Sequence, residues 1–296
     1  MCRDPLGYVH RAVMPSRAAE CHGEVGLPLC DECRQQQHEQ LVDPIDEGRG
    51  EVLFLQVGGD RLVFARERAH IGDIQAYEKV LRSRNQVLRG DHSRATRDHL
   101  LETYEVALGE LGSRIWSRRE ALVDALRPSF VSAFTQIHGG GRVAAVRYAP
   151  RLGSVAEGER EAALRDSLQR RRGDDLARGT TTVGPHRDDL EMSLDDHGVG
   201  TFASQGQTRA LVLAFKIAEV RGARELSGEP PLLLLDDVSS ELDPQRNARL
   251  FEALTADAGQ CVLTTTAPHF VRLGEAADAR FVEVAGGLLR DSTKPA

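Results

Sequence analysis

Leu232-Leu233-Leu234-Leu235-Asp236-Asp237 runs directly into Val238-Ser239-Ser240-Glu241-Leu242-Asp243. Four consecutive leucines between a proline pair and two carboxylates show no polar alternation. The run therefore predicts a strand buried on both faces, central in a parallel sheet. The C-terminal tip of such a strand is where open α/β sheets bind ligands. Two carboxylates there divide between holding Mg²⁺, for Asp236, and polarising an attacking water, for Asp237. Taken alone, the same run equally describes a core strand ending in a solvated acidic turn.

The flanking sequence separates the two readings. Upstream, Phe202-Ala203-Ser204-Gln205-Gly206-Gln207 opens a helical pattern from Thr208 to about Leu226. Ser204 is placed to cap that helix. Gly206 leaves backbone amides uncovered at the positive end of the helix dipole, an arrangement suited to phosphate. Downstream, Cys261-Val262-Leu263-Thr264-Thr265-Thr266 reads as a second apolar strand with hydroxyls at its tip, followed by Pro268 and His269. A serine-glycine helix start is ordinarily a cap and no more. Polar helix start, acid-tipped strand and threonine-tipped strand in this order form a far more specific pattern.

These motifs resemble the C-terminal half of an ABC-type ATPase, and more narrowly the RecF family of DNA replication and repair proteins. Ser204, Gln205, Gly206 and Gln207 match the signature motif, and Leu232–Asp237 the Walker B strand. Ser239–Asp243, with Glu241 and Asp243, is similar to the D-loop. Thr264–Thr266 ends the switch strand, with Thr266 and His269 at the switch position that senses the γ-phosphate. Thr180-Thr-Thr-Val-Gly184-Pro-His-Arg-Asp-Asp-Leu190 and Tyr77-Glu-Lys-Val-Leu-Arg-Ser-Arg84-Asn85-Gln-Val-Leu-Arg89 also resemble RecF segments. The likeness runs from about residue 66 to the C-terminus.

The resemblance implies an α/β fold: an ABC-type ATPase lobe, incomplete and lacking the P-loop strands, with an inserted helical arm or lobe. It implies ATP and Mg²⁺ as cofactors and an ATP-dependent homodimer in which the signature of one subunit faces a nucleotide on the other. Ser204 and Gly206 would touch the γ-phosphate in trans, Asp236 the metal, Asp237 the water and Asp243 the subunit interface. It further implies single-stranded or gapped duplex DNA and recombination-mediator proteins as partners, in recombinational repair and the SOS response. An ABC transporter ATPase fits less well, because of the helical insertion and the Gly184–Asp189 segment.

The departure from the pattern matters equally. Such ATPases cradle phosphate in a glycine loop ending in Gly-Lys-Ser/Thr. The only lysines here are Lys79, Lys216 and Lys294, and none follows a glycine loop. Gly58-Gly59 and Gly139–Gly141 read as turns. A second reading follows: a non-hydrolysing partner that offers its signature motif in trans to a complete subunit.

Composition sets outer bounds. A chain of 296 residues with 41% hydrophobic content can fill one large or two modest cores. No apolar run approaches the ~20 residues of a membrane span and no signal peptide is visible, so a cytoplasmic protein without a membrane is expected. The net charge of −7 provides no global attraction to nucleic acid, so DNA contact needs local arginine clusters. Arg170, Arg171 and Arg172, within a charged helix expected over Glu159–Arg178, are the candidates; interleaved acids equally describe a solvated face. Cys21-His22, Cys30-x-x-Cys33 and His38 are a weak zinc pattern. Cys261, in a strand, reads as a small hydrophobe.

Three regions follow: residues 1–65, unlike the family and with one candidate strand at Val52–Val57; a helical arm at 66–178; and the ATPase region at 179–296. Helices are expected over Ile71–Arg89 and from Ser93 to Pro128, where proline interrupts the pattern, with Phe130–Ile137 continuing. Strands are expected at Val143–Tyr148, Thr180–Val183, Leu190–Leu194, Leu232–Leu235, Cys261–Thr265 and Ala279–Ala285, with a hairpin turn at Asp195–Gly198. The Leu232 and Cys261 strands, joined by a helix from Pro244 to Leu254, should pair in parallel. His186 and Arg187 fit either a ligand contact or a structural turn with Arg187 paired to Asp188 or Asp189.

Overall fold

The structure, a computed structural model, describes residues 10–15, 59–63, 65–236, 244–257, 259–266, 271 and 279–292. The Val52–Val57 strand and the zinc pattern at Cys21, His22, Cys30, Cys33 and His38 lie outside those residues. A short strand, β1 (His10–Pro15), precedes a helical turn at 59–63 that contains Gly59, which is therefore helical and not a turn.

Helix α1 (Ala69–Arg89) follows, then α2 (Arg94–His138), 45 residues long. At 1.5 Å per residue α2 extends about 68 Å and forms the spine of the molecule. Ser93 starts it, its Oγ accepting the Thr96 amide at 3.3 Å, and Gly139 ends it at φ 90°. The N-terminal half of α2 packs Leu108 and Ile115 against Tyr77 of α1. Its C-terminal half puts Leu126, Phe130, Phe134 and Ile137 into the main core.

Pro128 does not break this helix, contrary to the sequence expectation. A proline inside a helix removes one hydrogen bond at a cost of about 3 kcal/mol. Phe130, Phe134 and Ile137, all within about two and a half turns of Pro128, are completely or almost completely buried. Each such side chain contributes roughly 1.5–3 kcal/mol, so burial outweighs the proline penalty.

Strands β2 (Ala144–Ala149), β3 (Asp189–Leu194) and β4 (His197–Gly198) form an antiparallel sheet. The β3–β4 turn falls where expected, with Asp195 and Asp196 at φ 51° and 63°, the left-handed pair that a tight hairpin demands. Between β2 and β3 lie α3 (Arg160–Arg170) and α4 (Arg172–Arg178), two helices where one was expected over Glu159–Arg178. Arg171 forms the joint, its backbone outside helical geometry at ψ 5°.

Thr180–Val183 is likewise no strand. Side chains satisfy its backbone in place of a neighbouring strand: Asn85 Oδ1 accepts the Thr181 amide at 2.8 Å, and Asp175 Oδ1 accepts the Thr182 amide at 3.0 Å.

Helix α5 (Gln205–Ser227) ends at Gly228, φ 73°, and leads into β5 (Leu232–Asp236), α6 (Pro244–Asp257), β6 (Gln260–Thr265), β7 (Ala279–Ala285) and β8 (Leu288–Ser292). The second sheet has the order β5-β6-β1-β7-β8. Strands β5 and β6 pair in parallel as expected, while β1 enters between β6 and β7 antiparallel to both.

The leucine run corrects a central expectation. It forms the predicted strand, but among the described residues that strand is the sheet edge and not its centre. Leu233 and Leu235 pack against the main core, whereas Leu232 and Leu234 are 58% and 70% exposed. A parallel strand is buried on both faces only where elements cover both. Here α2, α5 and α6 build the core on one side. Among the described residues no helix is long and apolar enough to cross a membrane.

Candidate functional site

The start of α5 is held by a reciprocal cap. Ser204 Oγ accepts the Gln207 amide at 3.3 Å, and Gln207 Oε1 accepts the Ser204 amide at 2.9 Å. This is a capping box, which satisfies two of the donors that a helix start leaves over. The amides of Gln205 and Gly206 stay uncapped among the described residues, at the positive end of a 23-residue helix. Gly206 has a steric reason as well: a Cβ there would lie 3.0 Å from Nη1 of Arg246 on α6. Phe202, immediately before the cap, is largely exposed and lies 4.6 Å from the His197 ring, centroid to centroid.

The second element is the tip of β5. Asp236 is exposed and sits opposite Thr264 in the parallel register. The Thr264 hydroxyl donates to Asp236 Oδ1. Among the described residues no three His, Cys, Asp or Glu side chains gather as a metal cage. A single carboxylate at an exposed strand tip still fits Mg²⁺, which keeps most of its waters and binds through one or two carboxylates plus phosphate oxygens. When bound, the ion neutralises phosphate charge. Asp236 would hold it, and Thr264 fixes which Asp236 oxygen is already engaged.

Thr266 is exposed just past β6. Asp237, Glu241, Asp243 and His269 lie outside the described residues. The structure thus presents Ser204, Gln205, Gly206, Gln207, Asp236 and Thr266 from the sequence-derived set. Thr264 and Arg246 are additions. Strand register reveals Thr264, whereas the sequence marks it only as one of three hydroxyls, and nothing local to Arg246 points at Gly206.

Gly184, Pro185 and Asp188 are buried, whereas Arg187 and Asp189 in the same segment are exposed. His186 Nε2 lies 3.2 Å from the Thr181 carbonyl, which must accept, so the proton sits on Nε2 and Nδ1 accepts the Tyr77 hydroxyl at 2.7 Å. Burial pushes the imidazole down to about 4, with Thr181 opposing, so it is neutral near pH 7. Gly184 is at φ 125°, and a Cβ there would meet the Tyr77 oxygen at 2.3 Å.

Asp188 accepts the Tyr148 hydroxyl at 2.8 Å and the Arg151 amide at 2.9 Å, and burial raises its carboxyl above the usual range. Arg119 joins the same region, donating to the Pro185 carbonyl at 2.8 Å and to both Asp60 oxygens at 2.8 and 2.7 Å. Arg187 is exposed, and its Nε reaches the Thr181 carbonyl at 3.4 Å. These contacts favour a structural turn, but one held differently from the expectation: Arg187 reaches the Thr181 carbonyl and not Asp188 or Asp189, and Asp188 is taken by Tyr148 and the Arg151 amide.

The arginine cluster divides. Arg170 and Arg171 are exposed at the α3–α4 joint. Arg172 folds back onto the buried carboxylate of Glu105, at 2.8 and 2.6 Å. Glu105 also receives Arg84, whose guanidinium is fully buried against Asp175.

No family model matches the chain. Over 253 residues it is 43% identical to the DNA replication and repair protein RecF of Anaeromyxobacter sp. (strain Fw109-5), covering 84% of this chain and 66% of that protein. To the DNA replication and repair protein RecF of Myxococcus xanthus (strain DK1622) it is 42% identical over 234 residues, covering 77% and 61%. The chain belongs to the RecF family. It spans 61–66% of the length of these two relatives. A solved structure of the recombination mediator protein RecF with ATPrS, in the RecFOR pathway, superposes at a TM-score of 0.62 and 25% identity, over 79% of this chain and 62% of that one. A second, at 24% identity, is described as RecF with ATP.

Proposed function

We propose that this chain acts in RecF-type DNA replication and repair, binding single-stranded or gapped duplex DNA within an ATP-dependent, two-subunit assembly. In that assembly Ser204–Gln207 presses on the γ-phosphate of a nucleotide held by the facing subunit. The carrying observation is the capped start of α5, with the Gln205 and Gly206 amides left as donors.

In the proposed assembly the signature and the acidic strand tip serve different nucleotides: Ser204 starts the 23-residue helix α5, and Asp236 ends β5, which follows the far end of that helix. Asp236 is the proposed Mg²⁺ holder, Asp237 the group that orients water, Asp243 an interface residue, and Thr266 with His269 the switch.

A second form of this assembly is favoured by one specific observation. No glycine loop carrying a lysine occurs in the sequence, and Lys216 is bound to Glu219 at 2.6 Å inside α5. The chain would then serve as the non-hydrolysing partner of a complete subunit, contributing its signature and a DNA-contacting surface. Recombination-mediator proteins are the further partners of this reading, and the cytoplasm its setting.

The test is association with a complete RecF relative, measured by analytical ultracentrifugation with and without ATP and Mg²⁺. Association that requires ATP and is abolished by Gly206→Glu is expected. That substitution adds a negative charge where phosphate docks, and Gly206→Ala, which sets the same Cβ beside Arg246 without the charge, should keep the association and so separates charge from crowding. Association indifferent to ATP, or unaffected by Gly206→Glu, contradicts the proposal.

A further inference from the structure

We infer that Thr264 is a positioning residue for the acidic strand tip: its hydroxyl pins Oδ1 of Asp236 and so presents Oδ2 to a hard divalent cation. The inference rests on the reading of Asp236 as a cation holder and goes one residue beyond it.

Three observations carry it. Strands β5 and β6 run parallel with Asp236 directly opposite Thr264, so the two side chains leave the same face of the sheet at neighbouring positions. Along β6 the alternate residues Leu263 and Thr265 are buried, which turns Thr264 to the opposite, more open face. The hydroxyl donates to Oδ1 and to no other described oxygen.

The physical consequence concerns orientation. A carboxylate on an exposed strand end turns about both side-chain torsions, and a cation that binds it must first arrest that motion. A hydrogen bond to one oxygen arrests it in advance and aims the remaining lone pairs in one direction. Groups that orient a metal-binding carboxylate in this way typically account for about 10–100-fold in metal affinity. A hydroxyl is the suitable donor here. It delivers one proton to the carboxylate, adds no charge to compete with the cation, and is held by the β-branched threonine in few rotamers.

A merely structural role predicts something different. A hydrogen bond between two partly exposed groups adds little to stability, and its loss would leave the cation affinity unchanged.

The experiment uses the full chain, labelled with ¹⁵N, and Mn²⁺ as the probe. Paramagnetic broadening of the Asp236 and Thr264 amides is titrated in the wild type, Thr264→Val and Thr264→Ser, with melting temperatures measured in parallel. Valine keeps the shape of threonine and removes the hydroxyl, while serine keeps the hydroxyl. Wild-type broadening centred on Asp236, an affinity at least tenfold weaker in Thr264→Val, and recovery in Thr264→Ser at similar melting temperatures are expected.

Equal Mn²⁺ affinity in the wild type and Thr264→Val overturns the role of Thr264 and leaves the cation site standing. Wild-type amides at Asp236 that show no selective broadening overturn the cation site itself, and the positioning role with it.

Discussion

Arg84 and Asp175 meet at 2.8 Å with neither side chain reaching solvent, ninety-one residues apart in sequence. The same guanidinium donates to Thr181 Oγ1 at 2.8 Å and to Glu105 at 3.2 Å. One side chain of α1 therefore ties α2, α4 and the Thr180–Thr182 segment together. A buried ion pair is costly to desolvate and persists only when hydrogen bonds support it. Here Thr181 accepts from the guanidinium, and Thr182 and Arg172 donate to the two carboxylates, while Arg84 Nε is buried with no partner among the described residues.

Replacing Arg84 by methionine should be strongly destabilising. It strands the Asp175 carboxylate in the interior without its cation, at a cost of about 3–5 kcal/mol. Urea unfolding of the two proteins measures this. A loss below about 1 kcal/mol would mean that the interior admits water around Asp175.

The cap on α5 has its own signature. Ser204→Ala removes the acceptor of the Gln207 amide and should cost about 1 kcal/mol. The loss should be local: amide exchange at Gln207 and Thr208 accelerates while exchange in α2 stays as it was. Unchanged exchange in the first turn of α5 would show that the cap does not hold it.

Much of this was legible in the sequence. Ser204 and the helix it opens, the Asp195–Gly198 turn and the parallel pairing of β5 with β6 all rest on local rules of capping, turn chemistry and crossover topology. Several of the failures turn on elements remote in sequence, whether present or missing. Pro128 stays helical because Phe130 and Phe134 are buried in the main core, Phe130 against Phe215 of α5. Thr180–Val183 is irregular because Asn85 and Asp175 supply its hydrogen bonds. Leu232 and Leu234 are exposed because nothing among the described residues covers their face, which a run of four leucines cannot reveal. Arg172 reads as part of a basic cluster and is spoken for by Glu105, sixty-seven residues earlier.

His186 gives the fold a pH dependence with a defined sign. Its folded value of about 4 lies below the ordinary histidine value, chiefly through burial. Both states are neutral above about pH 6.5. Below that the unfolded chain takes up a proton that the folded chain refuses, so stability is full above pH 6.5 and falls as pH drops toward 4. Between pH 7 and pH 5 the contribution is about 2 kcal/mol. Urea unfolding at the two pH values, compared with His186→Gln, should show the drop reduced by about that amount in the variant. An equal drop in both proteins would mean that His186 protonates freely in the fold.

If the α3–α4 joint touches DNA, the contact is electrostatic and uneven across the three arginines. Arg170→Glu with Arg171→Glu should weaken binding to gapped DNA and lower the slope of log affinity against log salt by about 2. Arg172→Glu should instead lower thermal stability, because it sets a carboxylate against Glu105. Fluorescence anisotropy between 50 and 200 mM salt, spanning roughly the range where phosphate contacts dominate, reads the first effect. An unchanged slope in the Arg170/Arg171 variant would remove this joint as a DNA surface.

The most direct test of the account is ATP binding and turnover by the purified chain alone. A glycine loop with its lysine supplies several amide contacts and one positive charge opposite the β- and γ-phosphates. Losing even one such preorganised donor costs about 3–4 kcal/mol of transition-state stabilisation. Calorimetry with ATP and Mg²⁺, followed by steady-state hydrolysis, should show neither micromolar binding nor turnover above an Asp237→Asn control. Micromolar binding with turnover that Asp237→Asn abolishes would contradict the account, since the chain would then hold and hydrolyse a nucleotide of its own.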